Sequence, residues 1–193
     1  MKDSLFEKAY QYPTILKEEY DEIKAVHTRV AFSKNDLIIS SGERCNEYYL
    51  VEQGLLRSFV FNYSGDEITT DFFIDGDVLI DVSSLFQRIP AMENIQALSD
   101  GVLWKIEYPT FQELFHKIEG FREWGRAWMA SQLLTSKQRS IGMITLTATE
   151  RYLNLLREKP QIIKQVPLKH IATYLGITDT SLSRIRKEIA KEA

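Results

Sequence analysis

The sequence predicts an α+β chain in three parts: short strands closing into a sandwich or roll, one long helix, and a C-terminal helix-turn-helix. Three observations carry this. Gly42, Gly54, Gly65 and Gly76 recur every 11 or 12 residues between β-rich segments, as turn signals do between short strands. A helical pattern then runs from about Phe121 to Thr145. Finally, the segment from Leu168 to Lys187 holds two short amphipathic pieces on either side of Gly176. The boundaries fall at residues 1–118 for the roll, 119–146 for the long helix and 147–193 for the helix-turn-helix.

The first element is helical. Ile15, Leu16, Tyr20, Ile23 and Val26 recur at helical spacing among charged residues, and Pro13 suits the start of that helix. From Thr28 to Glu107 the pattern turns to strands: Tyr48–Val51, Leu55–Phe61, Ile68–Ile74, Val78–Ile80, Ile95–Leu98 and Val102–Ile106. Asn62-Tyr63-Ser64-Gly65-Asp66 reads as the turn of a hairpin. Tyr108-Pro109-Thr110 opens a helix whose apolar face is Phe111, Leu114, Phe115 and Ile118, with a break at Gly120.

The long helix carries Phe121, Trp124, Trp128, Leu133, Leu134, Ile141 and Ile144. Such a stripe needs a partner surface, and pairing with a second copy through Phe121, Trp124 and Trp128 is the expected solution. Ser131, Thr135 and Gln138 on or near the stripe leave packing on the chain's own roll as the alternative. Thr147 and Glu150 have capping-box spacing and start a helix through about Arg157, which Lys159-Pro160 ends.

Val166-Pro167 leads into the helix-turn-helix, with Pro167 near the first helical position. Its apolar set is Ile171, Leu175, Ile177, Leu182 and Ile185. Ala172 is small where two helices approach, and Gly176 sits where the chain needs a left-handed conformation. Outside this set stand Thr178, Asp179, Thr180, Ser181, Ser183, Arg184, Arg186 and Lys187. Short polar and basic side chains suit a helix placed in the major groove. A plain αα-hairpin is the other reading of the same spacing.

The formal charge of −3 hides an asymmetry. From Thr147 onward there are nine Lys/Arg against five Asp/Glu, a balance of +4, so the preceding residues carry −7. A basic tail on an acidic body fits a DNA-contacting module joined to a regulatory one. Cys45 is the single cysteine, which excludes an intrachain disulfide and a four-thiolate metal or iron–sulfur site within one chain. His27, His116 and His170 show no ligand spacing, so no metal is expected. The residues after Met1 lack a signal-peptide run and no stretch has the length of a membrane span. A cytoplasmic protein with no membrane partner is expected.

Strands, long helix and helix-turn-helix, in that order, resemble the Crp/Fnr family of bacterial transcription regulators. The resemblance covers nearly the whole chain. Its most specific parts are Phe73-Ile74-Asp75-Gly76-Asp77, similar to the family's aromatic-x-x-Gly-Asp/Glu turn, and Ile171-Ala172-Thr173-Tyr174-Leu175-Gly176-Ile177-Thr178. It implies a double-stranded β-helix (jelly-roll) of cyclic-nucleotide-binding type, and a homodimer paired through its long helices. It also implies two recognition helices in successive major grooves of double-stranded DNA.

Two departures follow. Family members that bind cyclic nucleotides carry a Gly-Glu pair for the ribose, then an Arg and a small residue for the phosphate. Here Ile80-Asp81 and Ala91-Met92 occupy those places. Asp81 can still accept from a ribose, but nothing at 91–92 pairs with a phosphate, and a buried anion without a counter-charge is penalised by about several kcal/mol. Arg88 lies near enough for a loop shift to bring it to the site. The effector pocket is thus expected at Phe73, Asp81, Arg88, Ala91 and Met92, with no cyclic AMP and with a small-molecule effector of unknown kind, or none. In the reading head, Asp179-Thr180-Ser181 replaces the Arg-Glu-Thr common among relatives of the cyclic AMP receptor, while Arg184 stands one turn later. Arg184 is the expected base reader, Thr178 the helix cap, and Arg186 and Lys187 phosphate contacts or solvated charges.

The expected function is a dimeric, DNA-binding transcription regulator, with RNA polymerase a further partner that leaves no residue signature in exposed loops. A small-molecule sensor acting through protein contact is the alternative. A β-roll enzyme is not expected, because the strands from Thr28 to Ile106 contain no histidine for a metal site.

Overall fold

The computed structural model describes residues 2–192 and divides into two compact units. One comprises the chain up to Ser58 together with Phe73–Ser131; the other comprises Phe59–Phe72 and the chain from Gln132 onward. Residues 1 and 193, the outer bounds of the first and last expected domains, lie outside the described residues.

The first unit opens with two helices rather than one, α1 (Lys2–Ala9) and α2 (Lys17–Ala25). Ile15 and Leu16 precede α2, whose start is closed by Glu19 accepting from the Leu16 backbone N–H at 2.9 Å. Pro13 therefore lies in the connection, not in the first turn. The strands are β1 (Thr28–Phe32), β2 (Leu37–Ile39), β3 (Glu47–Gln53), β4 (Leu56–Phe61), β5 (Glu67–Phe73), β6 (Val78–Leu79), β7 (Asn94–Ala97) and β8 (Gly101–Glu107). They form two four-stranded sheets, β1-β8-β3-β6 and β2-β7-β4-β5, the double-stranded roll that the family resemblance implied. All four turn glycines have positive φ, from +84° to +124°. At Gly54 the requirement is also steric, since a Cβ would stand 2.7 Å from the Phe32 ring.

Period-2 alternation splits β3 between two cores. Tyr49 and Val51 face the roll interior with Phe32, Leu56, Leu79, Ile95 and Leu103. Tyr48 and Leu50 face the other way, into a helix-covered core with Phe6, Tyr10, Ile23, Trp104 and Phe111. That second core takes in α3 (Tyr108–Lys117) and the first turns of α4 (Glu119–Thr145).

This placement corrects the expected dimer contacts. Phe121 is fully buried and Trp124 is 5 % exposed within the unit. Their rings stack at 5.1 Å, and the Trp124 indole N–H donates to the Ala9 carbonyl at 2.7 Å. Trp128 packs partly against the same cluster. A side chain already enclosed by its own chain has no surface to offer a second copy. The α4 residues left open lie further along: Leu134, Ile141 and Ile144 are 57 %, 48 % and 86 % exposed.

The second unit holds the outer part of the β4–β5 hairpin, the remainder of α4, α5 (Ala148–Glu158), α6 (Pro160–Gln165), α7 (Leu168–Tyr174) and α8 (Asp179–Glu192). Asn62 closes the hairpin turn, its side-chain oxygen accepting from Ser64 and Asp66 N–H groups at 2.9 Å. The Thr147–Glu150 capping box starts α5, the Glu150 N–H reaching Thr147 Oγ1 at 3.2 Å. Helix α6 was not legible in the sequence. Pro160 ends α5 but also occupies the first turn of α6, where a missing N–H has no consequence. Buried Tyr152, Leu155, Ile162, Val166, Ile171, Leu175, Leu182 and Ile185 fill the interior of the second unit. Among the described residues no helix is long and apolar enough to cross a membrane.

Candidate nucleic-acid interface

Helices α7 and α8 meet through one turn whose hydrogen bonds account for the local sequence. The Ile177 N–H returns to the Ala172 carbonyl at 3.0 Å and the Gly176 N–H to the Thr173 carbonyl at 3.1 Å. This is a Schellman ending, with Gly176 at φ +67° in the left-handed position. Thr178 then caps α8, accepting from the Ser181 N–H at 3.2 Å. Ala172, with no exposed surface, allows the two helices to approach, while Ile171, Leu175, Leu182 and Ile185 are buried between them.

Burial of Leu182, Ile185 and partly Ile189 fixes which face of α8 turns outward. At about 100° per residue, the opposite face carries Thr180, Ser183, Arg184, Lys187 and Lys191. All but half-buried Ser183 are exposed. Thr178, Asp179 and Ser181 are exposed at the N-terminal end beside this stripe. Asp179 stands in the first turn, where a carboxylate is favoured by the helix dipole. Arg186 lies on the flank. Lys191 extends the stripe one turn past Lys187 and was missed in the sequence, although its i, i+4 spacing could have revealed it.

Two further residues without a sequence signature hold the α7–α8 pair. Arg139 on α4 donates to the Tyr174 carbonyl at 3.0 Å and to the Thr70 carbonyl at 2.5 Å, and its guanidinium lies 4.2 Å over the Tyr174 ring. Arg151 on α5 donates to the Leu175 carbonyl at 3.0 and 3.2 Å and to Leu146 at 2.6 Å. Two cations thus meet the carbonyl end of α7, where the dipole favours positive charge. The hairpin adds a third tie: the Thr69 N–H donates to Thr173 Oγ1 at 3.2 Å, and Phe72 packs on Tyr174 at 5.1 Å. Burial first, then the charge of Asp71, pushes the Tyr174 phenol up to about 12, so it stays neutral.

Of the five residues expected to form an effector pocket, Ala91 lies in the roll core, Phe73 and the half-buried Cys45 pack against it, and Asp81 and Arg88 both act on the Cys45 thiol. Asp81 caps a short π-helical turn, Ser83–Gln87, accepting from Ser83 Oγ at 2.6 Å and the Ser84 N–H at 2.7 Å. Arg88, at φ +60°, donates to the Ser84 carbonyl and to Asn46 and lies 3.8 Å over the Tyr108 ring. Ala91 is buried in the roll core, Met92 is 72 % exposed, and Phe73 packs against that core. Local capping and stacking thus engage the two charged members of the set. The roll has a separate cavity of about 360 Å³, bordered by Leu37, Ile38, Glu47, Tyr49, Leu103 and Lys105. At its polar end Lys105 pairs with Glu47 at 2.6 Å and the Tyr49 hydroxyl donates to Glu47 at 2.6 Å.

Residues 29–117 match the cyclic nucleotide-binding domain. The chain is 21 % identical over 187 residues to the anaerobic regulatory protein of Haemophilus influenzae, covering 89 % of this chain and 71 % of that one. Its fold is similar to that of FixK2 from Bradyrhizobium japonicum, with TM-score 0.75, 20 % identity and 86 % of each chain covered. A Eubacterium rectale protein assigned to the crp/fnr family of transcriptional regulators has TM-score 0.71 and 20 % identity, with 92 % of this chain and 84 % of that one covered.

Proposed function

We propose that this member of the Crp/Fnr family of transcription regulators works as a homodimer that reads duplex DNA with α8 and has lost the phosphate contact of a cyclic-nucleotide pocket. The observation that carries the reading is the outward stripe Thr180, Ser183, Arg184, Lys187 and Lys191, set on a capped helix opposite a buried apolar face. Such a stripe combines a guanidinium able to bond a guanine edge with lysines for backbone phosphate. Arg139 and Arg151 hold the preceding helix, so the stripe is presented from a braced element rather than a free loop.

Dimerisation is supported by α4. Ala127, Ala130, Leu134, Lys137, Ile141 and Ile144 alternate at three- and four-residue spacing, and all are exposed. This is the a/d pattern of a two-stranded coiled coil, interrupted once by Lys137. Loss of the phosphate contact is supported by Ala91 and Met92, and by the engagement of Arg88 with Asn46 and Tyr108.

The test is selection of the purified chain against random duplex DNA at fixed moderate salt, without ligand and with a metabolite pool. A palindromic motif with half-sites about 34 Å, one helical turn, apart is expected. A dimeric protein that enriches no sequence under either condition overturns the reading.

A further inference from the structure

We propose that the cavity bounded by α4, α5 and α7 is a binding site for a small organic carboxylate of about benzoate size. The cavity measures about 180 Å³ and lies wholly within the second unit. An apolar cavity of about 150 Å³ accepts a benzene-sized body, so the volume limits the occupant to one ring or a short branched chain.

The lining sets the chemistry. Met143, Leu146 and Leu155 offer apolar surface, while Arg139 and Arg151 bring two guanidiniums. Each of these arginines bonds only backbone carbonyls, and neither has a carboxylate partner among the described residues. Arg151 engages three of its five N–H groups in this way and Arg139 two, which leaves donors for an anion. The one carboxylate in the lining, Glu158, stands seven residues from Arg151 on α5, about 10 Å along the axis. Two cations against one acid, itself well removed from Arg151, make the Arg151 end the place for a ligand carboxylate, as guanidiniums pair with carboxylates through parallel N–H···O bonds. A neutral ligand of the same shape forgoes those bonds.

The cavity also survives dimerisation. Its α4 members, among them Thr135, Gln138, Gly142 and Met143, lie off the a/d positions that form the exposed apolar stripe. An occupant touches α4, α5 and the C-terminal end of α7 together, and so braces the reading head against the helix that carries that stripe. The site stands on the cavity and its charges, and holds whether or not the chain's output is DNA.

The experiment is calorimetric titration of the full chain with benzoate and hexanoate, each against its amide, at constant ionic strength. Saturable binding of at least one acid is expected, with its amide at least about tenfold weaker. Arg151→Gln is expected to weaken the acid by a similar factor. Because Arg151 also holds the Leu175 carbonyl, a second variant carries the test. Gly142→Met adds a side chain beside the lining residue Leu146, whose Cδ1 a Cβ would meet at 3.3 Å and which is free to turn aside, while raising helix propensity; it is expected to melt no lower than the parent and to abolish binding. Binding of neither acid, equal binding of acid and amide, or unchanged binding by Gly142→Met overturns the proposal.

Discussion

The Arg184 side chain is exposed in the second turn of α8, with buried Leu182 and Ile185 on either side of it in sequence. In the proposed DNA complex its contribution is specific where that of Lys187 is general. Arg184→Ala is expected to lower affinity for a selected site by about 1–3 kcal/mol and to relax preference at one base pair. Lys187→Ala is expected to weaken all sequences alike and to reduce the salt slope by about one. Binding titrations over several salt concentrations separate the two. At the other end of the chain, His27 shows what burial does to a titratable group. Its Nδ1–H donates to the Ile23 carbonyl at 2.7 Å and Nε2 accepts from the Tyr10 hydroxyl at 2.7 Å, so the ring is neutral. Desolvation lowers its pKa to about 4. The unfolded chain, with the ordinary value of about 6.5, binds more protons between those two limits. Stability is therefore fully present above about pH 6.5 and falls with pH towards 4, by up to about 3 kcal/mol from this group. Denaturant unfolding as a function of pH should show this slope, and His27→Gln should flatten it.

Single elements depend on how their ends are closed. The turn between α7 and α8 requires φ +67° at Gly176, and a Cβ there would stand 2.5 Å from the Met143 terminal methyl. Gly176→Ala is expected to cost about 1–2 kcal/mol from the left-handed backbone alone. The Met143 contact adds little if that flexible side chain can swing away. Chemical denaturation of Gly176→Ala, alone and combined with Met143→Ala, measures both terms. Equal stability of Gly176→Ala and the parent would show that the turn is not strained by a side chain. The same logic explains why the hairpin, the α5 start and the α7–α8 turn were legible in the sequence. Each is written in local residue types: Asn62 and Gly65, Thr147 and Glu150, Gly176 and Thr178. Helix α6 was not, because Pro160 serves equally as the end of one helix and the first turn of the next.

At the scale of the whole molecule, one helix serves two purposes. The first turns of α4 complete the helix-covered core of the first unit, and the later turns leave an a/d stripe uncovered. Ile141→Glu is expected to shift the chain towards monomer, since a carboxylate would be buried at an a-type position. In the proposed dimer, Lys137→Leu is expected to tighten association by completing the seam. Sedimentation velocity across a concentration series checks both signs, and a monomeric parent chain would remove the basis for either.

Composition and periodicity alone determined the order of strands, long helix and helix-turn-helix, the turns at the four glycines, and the outward residues of α8 apart from Lys191. These are short-range properties, fixed by backbone conformation and by which face must leave water. Tertiary structure decided the rest. It turned Phe121 and Trp124 inward, because Ala9 and Tyr10 lie against them from more than 100 residues away. It engaged Asp81 with Ser83 and set Arg88 over the Tyr108 ring. It also brought Arg139 and Arg151 to the end of α7. Spacing along the chain carries no record of such long-range meetings, since they depend on the path of every element between the residues that meet.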